Sequence, residues 1–320
     1  MSRLYAFGAA CMLLCMLTIP LISTIKPAAQ AAPAGANAVT QPVSEEETVI
    51  MYDTTSKKLI SLPVEEYLIG VVACEMSASS EPEALKAQAV AAYTLLCKKK
   101  QDGGSSTYSG ADISNNPEQD QGYIDQDARK EKWKDSADKN EQKIKQAVQA
   151  VSGLQILYDG QPILAAYHAI SGGRTEDAEN VWGSSYPYLK PVESAGDLLA
   201  PDYASTVTYT KEEFIQLAAE LPVTLDADVS FISTPECTDS GTVQSYQLGG
   251  QSFTGQQMRK AFGLRSANFD LSEKDGNLVF TVRGYGHGVG MSQYGANYMA
   301  QQGSDFKEIL QWYYTGCTVE

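Results

Sequence analysis

The chain has 320 residues, 43% of them apolar and 20% charged, with a formal net charge of −15. That length and apolar content allow one large domain or two small ones with a sizeable core. The acidic balance excludes non-specific nucleic-acid binding, which needs a basic surface to displace counterions.

The first predicted element is apolar. No charge stands between Arg3 and Lys26, and Leu13, Leu14, Leu17, Ile19, Leu21, Ile22 and Ile25 fall in this run. As a helix it would span about 33 Å, close to the hydrocarbon thickness of a bilayer. Residues 1–25 therefore predict a single-pass membrane anchor. A cleaved signal peptide is the competing reading, with Ala28-Ala29-Gln30-Ala31 as a processing site, although the run exceeds the usual signal-peptide core. Both readings place the rest of the chain outside the cytoplasm. Residues 26–47, rich in Pro, Ala, Gly and Gln and closing on Glu45-Glu46-Glu47, read as a flexible linker that cannot build a core. The folded domain is expected over 48–320.

Val49–Tyr52 reads as a strand and Lys57-Lys58 as a turn. Pro63 opens a helix whose apolar face is Tyr67, Leu68, Val71 and Val72. Ser80-Glu81-Pro82-Glu83 has the pattern of a capping box at the head of a second helix running to Lys98-Lys99-Lys100. Residues 101–142 are polar and turn-rich, and a helix follows through Lys143–Val151. Asp159-Gly160 is a hairpin signal between Gln155–Tyr158 and Pro162–His168. Strands are expected at Val243–Leu248 and Leu278–Val282, and helices at Phe214–Leu221 and Phe306–Tyr314. Segregated helices and hairpins without βαβ alternation predict a single α+β domain of mixed strands and helices.

The chemistry-bearing motifs are few. Cys74, Cys97, Cys237 and Cys317 lack any CxxC rhythm and HExxH is absent, so no metal site and no cofactor are expected. Gly290-Met291-Ser292-Gln293-Tyr294-Gly295 is one residue too long for a nucleophile elbow. The stretch from Gly284 to Gly290 fits neither GxGxxG nor a phosphate loop; its glycines imply tight turns or close approach. His287 within it, and His168 before the Ser171–Glu176 loop, suit a site or a structural hydrogen bond equally well. Glu75 follows Val71-Val72-Ala73-Cys74 and precedes Met76. Burial disfavours its charged form and would let it hold a proton near neutral pH. A lone helical glutamate is ordinarily a surface residue, so its spacing alone decides nothing.

Five blocks taken together carry more: YLIGVVACEM (Tyr67–Met76), EALKAQAVAA (Glu83–Ala92), SGGRTE (Ser171–Glu176), VWGSSYPYLK (Val181–Lys190) and RGYGHGVGMSQYGA (Arg283–Ala296). In this order they resemble the stage II sporulation protein D family and its relatives, the amidase enhancers, from about residue 48 to 320. The resemblance implies a lytic transglycosylase acting on peptidoglycan glycan strands stripped of stem peptides, during engulfment in sporulating cells. It implies partners among other sporulation cell-wall hydrolases and membrane proteins.

The resemblance also implies residue roles. The catalytic acid falls on Glu75 and basic groove residues on Lys86 and Lys190. His168, Ser171, Arg174, Thr175, Tyr188, His287, Ser292, Gln293 and Tyr294 would line the same groove. Tyr93 stands where relatives carry arginine, so a cation expected near the acid is either missing or supplied from elsewhere, with Arg174 as the candidate. Some relatives bind zinc through Cys and His near 112–125, where this chain has neither.

Overall fold

β1 (Thr48–Asp53) pairs antiparallel with β2 (Lys58–Pro63), and the turn between them has Lys57 at φ 57°. Asp53 closes that turn by accepting hydrogen bonds from the Thr55 and Ser56 amides. The chain runs directly into α1 (Val64–Glu75), with Pro63 as its N-cap. Eight of its twelve residues are buried, Tyr67, Val71 and Val72 completely. These coordinates are a computed structural model that describes residues 47–225 and 230–320. The predicted anchor and nearly all of the predicted linker, residues 1–46, lie outside the described residues. Among the described residues no helix is long and apolar enough to cross a membrane.

α2 (Pro82–Gln101) begins at Pro82 without a side-chain cap, so the expected capping box does not form. Glu83 instead pairs with Lys86 and accepts from the Phe306 amide, a partner 223 residues away. β3 (Ile113–Ser114) lies parallel to β1. The polar stretch 101–142 is less irregular than its composition suggests, for it contains α3 (Gln126–Trp133), capped by Asp125, and the start of α4 (Ala137–Ala150). Arg129 explains the order there. Its guanidinium is fully buried and joins Glu66 of α1 to Glu141 of α4 at 2.7 and 2.8 Å.

β4 (Ile156–Tyr158) and β5 (Gln161–Pro162) form the expected hairpin, with Asp159 at φ 50° and Gly160 at φ 72°, both values that a type I′ turn requires. Its second strand ends at Pro162. The expected extension to His168 is realised by a separate β6 (Tyr167–His168). After α5 (Ala178–Trp182) the chain enters β7 (Ala204–Tyr209), α6 (Lys211–Ala218), β8 (Glu236–Cys237), β9 (Val243–Leu248), β10 (Gln251–Phe253), α7 (Gly255–Ala261), β11 (Phe269–Lys274) and β12 (Asn277–Arg283). It then returns through β13 (Met291–Ser292), α8 (Gln293–Gln301), α9 (Phe306–Tyr313) and β14 (Thr318–Val319), which pairs with β4.

Two hydrophobic cores result. The larger is built on α1, α2, α4, α8 and α9. The smaller is rich in phenylalanine, with Phe214, Phe262, Phe269 and Phe280 stacked between the β11–β12–β7 sheet and helices α6 and α7. Its segment enters and leaves the larger body at one point. Ala204 pairs with Arg283, and the Gly284 amide donates to the Tyr203 carbonyl at 2.7 Å. The two connections therefore lie side by side.

Candidate active site

Glu75 is the last residue of α1, where the helix dipole opposes a negative charge. No basic residue occupies that last turn. The compensating cation comes from α3, whose Lys132 ammonium donates to the Ala73 carbonyl at 2.8 Å and acts on the Glu75 carboxylate. The carboxylate has two further partners. Oε1 accepts from the Gly122 amide at 2.7 Å and Oε2 from the Gln293 side-chain amide at 3.2 Å. Burial pushes the Glu75 pKa above the ordinary glutamate value, opposed by these two hydrogen bonds and by Lys132.

Gly122 owes its identity to space. A Cβ there would sit 2.7 Å from the Cys74 sulfur and 3.0 Å from Glu75 Oε1, so a side chain would push the amide off the carboxylate. Gln293 opens α8, whose N-cap Ser292 accepts from the Gly295 amide. The same Gln293 amide also reaches Gln88 of α2 at 3.2 Å. Ser292 Oγ donates to Asp197 at 2.8 Å, and Ser171 donates to the same buried carboxylate through its amide and its hydroxyl. Asp197 thus fastens the loop before α8 to the Ser171 loop.

The glycine-dense stretch wraps this assembly. Gly284, Gly286, Gly288 and Gly290 all have positive φ. The backbone can then pair with the 170–176 segment on both sides of His287, Tyr285 with Ile170 and Val289 with Glu176. His168 and His287 approach to 5.7 Å between ring centroids, and the exposed Trp182 ring lies 5.2 Å from His287. The Nδ1 of His168 is 3.1 Å from the Val289 carbonyl, whereas His287 Nδ1 accepts from the Val289 amide. Burial lowers the pKa of both rings, that of His287 to about 3, so both are neutral near pH 7. The Tyr167 hydroxyl donates to Gln121 beside Glu75, and the Tyr167 backbone contacts His287, linking acid and histidine pair.

A family model described as stage II sporulation protein matches residues 52–158, which includes the Glu75 helix and Gly122. The stage II sporulation protein D of Bacillus subtilis (strain 168) is 36% identical over 272 residues, covering 85% of this chain and 78% of that protein. The chain belongs to the stage II sporulation protein D family. The protein of that name from Bacillus amyloliquefaciens is 37% identical with the same coverage. The amidase enhancer of Bacillus subtilis (strain 168) is 28% identical, over 79% of this chain and 40% of that protein.

Of the residues that family resemblance assigned to the groove, the structure brings Gln293 onto Glu75 and sets His168 and His287 close by. Ser292, Ser171 and Thr175 are buried in the scaffold, with Thr175 accepting from the Val192 amide. Tyr188 packs between Tyr158 and Tyr186 and accepts from the Leu164 amide. Tyr294 donates to the Leu199 carbonyl. Lys86 pairs with Glu83 and lies over Phe306, two residues from Gln88 and so on another face of α2. Lys190 pairs with Asp177 at 2.9 Å, and Arg174 faces Glu193 at 3.9 Å. Tyr93 points to the linker end, donating to Glu47 at 3.0 Å. The cation beside the acid is therefore Lys132 rather than Arg174.

Gly122, Lys132 and Asp197 escaped the sequence reading. The first two lie in the polar stretch that composition marks as loop, and Asp197 has no motif around it. Among the described residues no three His, Cys, Asp or Glu side chains converge as metal ligands, and all four cysteines there are free.

Proposed function

We propose that the protein is an exported lytic transglycosylase that cuts peptidoglycan glycan strands with Glu75 as its single acid and base. The observation that supports this reading is a half-buried carboxylate, its pKa raised and its orientation fixed by Gly122 and Gln293. Glycoside hydrolysis ordinarily needs two carboxylates about 5–9.5 Å apart, one serving as acid and the other as nucleophile or base. Transglycosylation needs one. Protonated Glu75 gives its proton to the bridging oxygen as the bond to the muramic acid anomeric carbon breaks. The carboxylate left behind takes the proton of that sugar's C6 hydroxyl, whose oxygen closes onto the same carbon as a 1,6-anhydro ring. No water is consumed and Glu75 regains its proton.

Kinship with proteins named for stage II of sporulation supports a role in remodelling the wall during engulfment, alongside other wall hydrolases and membrane proteins. The uncharged run between Arg3 and Lys26 supports a cell-membrane anchor that holds the folded domain on the outer side. The amidase enhancer among the relatives favours one other reading, a module that grips glycan without cutting it.

One experiment separates them. The full chain is incubated with glycan strands lacking stem peptides and the products are weighed. The wild-type protein should leave 1,6-anhydromuramic ends, one water lighter than hydrolysis products. Glu75→Gln should lose at least about 10²-fold of the rate, since one residue performs both proton transfers, while still binding glycan. Reducing ends would mean that water attacks, and full activity in the variant would remove Glu75 from the chemistry. Wild-type binding without cleavage would leave the enhancer reading.

A further inference from the structure

Five arginines lie among the described residues. Arg129, Arg174 and Arg283 each have a carboxylate within 4 Å. Arg259 and Arg265 have none, in a protein whose acidic residues outnumber its basic ones by 39 to 24. An arginine with so many acidic groups available and no partner is a donor held open.

Both come from the phenylalanine core and both project at the glycine-rich loop. Arg259 stands in the last turn of α7, its Nε donating to the Leu264 carbonyl at 3.3 Å. That bond leaves its terminal nitrogens uncommitted among the described residues. Arg265 stacks on the exposed Tyr285 ring at 4.5 Å, its carbonyl accepts from the Gly286 amide at 3.0 Å, and its buried Nε has no partner. The stack fixes the plane of the guanidinium and leaves its hydrogen-bonding edge free. The positive charge of Arg259 acts on His168 and His287, and it feels Glu118 from the loop that presents Gly122 to Glu75. Glu118 is exposed and stands beyond ion-pair distance of Arg259. Arg259 thus acts on the histidine pair, and Arg265 holds the glycine-rich loop at Tyr285 and Gly286, just before His287.

We infer that Arg259 and Arg265, braced by Tyr285, form a carboxylate-binding subsite for the lactyl group of muramic acid. This rests on the glycan reading above and names what selects the strand. A stem peptide is joined to muramic acid through that carboxyl group as an amide, which has no charge and only one acceptor oxygen to offer two cationic donors. Removing the peptide restores the carboxylate and completes the pairing. The subsite thus reads the absence of a peptide as the presence of a charge. Lys86 and Lys190, already paired with Glu83 and Asp177, are less available for that task.

The test uses the full chain and one strand preparation in two forms, with lactyl carboxylates free or converted to methylamides. Wild-type protein should bind the free form at least about 10-fold more tightly, the scale of a charge-assisted contact. The Arg259→Gln/Arg265→Gln double variant should bind both forms alike, at the wild-type level for the methylamide. Arg259→Lys/Arg265→Lys should recover part of the preference. The methylamide arm needs no variant, so a double variant that fails to fold leaves the comparison standing. Equal wild-type binding of the two forms, or a full preference in the folded double variant, overturns the subsite and leaves the Glu75 chemistry untouched. Binding of neither form overturns the glycan reading together with the subsite.

Discussion

The two cores of this protein treat polar groups in opposite ways. In the phenylalanine core Phe214 packs on Phe231, Phe262 and Phe280 at 5.2, 4.5 and 6.1 Å, and the buried Tyr246 hydroxyl is satisfied by backbone, donating to the Phe231 carbonyl and accepting from the Ser233 amide. The larger core joins Glu75, Gln88 and Gln293 by hydrogen bonds at the end of α1, and Gln121 bridges Tyr67 and Tyr167 in the same core. Burial of apolar surface stabilises both, but in the larger core part of that gain is offset by desolvating a carboxylate. One region holds shape at little polar cost. The other keeps an acid in an environment that a stable fold alone would not require.

The sharpest way to break this contrast is Phe214→Ala. Deleting a fully buried phenylalanine costs about 3–5 kcal/mol, so urea unfolding of the variant should shift by that amount. Activity per folded molecule should stay near wild type, because Phe214 touches neither Glu75 nor the arginines. A folded variant with greatly reduced turnover would show that the second core governs the acid, and the division of labour would fail.

Lys132 sharpens the comparison from the site's side. The reaction needs protonated Glu75, so activity falls as pH rises through its pKa. Lys132 holds that pKa down, against burial. Lys132→Met should therefore raise it and move the alkaline limb of the rate profile to higher pH, with a loss of about 1 kcal/mol in stability from the freed Ala73 carbonyl. A limb that stays in place would mean the ammonium serves the helix end alone.

The smallest expected effect is on stability. A carboxyl group whose folded pKa lies above its unfolded value of about 4.3 favours folding only while protonated, so its contribution is lost as pH rises through the folded pKa. Glu75→Gln should thus melt higher than wild type near pH 7, with the gap closing as pH falls towards 4. Equal melting temperatures across that range would contradict the raised pKa. His287, neutral in the fold down to about pH 3, lowers the stability of both proteins alike as pH falls below its unfolded value of about 6.5, so it cancels from the gap.

Much of this molecule follows from short-range pattern. The hairpin at Asp159-Gly160, the strand Val243–Leu248 and the amphipathic α9 are visible because their turns and periodicities depend on neighbours in the chain. The apolar setting of Glu75 was legible for the same reason, since Val71, Val72 and Ala73 precede it in the same helix, whereas its role came only with the family resemblance. Where a local signal met a distant competitor, the distant one prevailed. Glu83 left the Ser80 capping pattern for Lys86 and the Phe306 amide.

What the sequence by itself determined is the α+β character, the family and the apolar setting of Glu75, while α3, α5, α7 and α8 came only with the fold. Tertiary structure alone decided the acid's company. Gly122 lies 47 residues from Glu75 and Gln293 lies 218 away, and neither spacing carries a periodic signal. The place of Lys132 beside the end of α1, and the open state of Arg259 and Arg265, depend on which groups the fold brings together. A hydrogen bond or an ion pair is defined by distance in space, and distance in space between remote residues exists only once the two cores have formed.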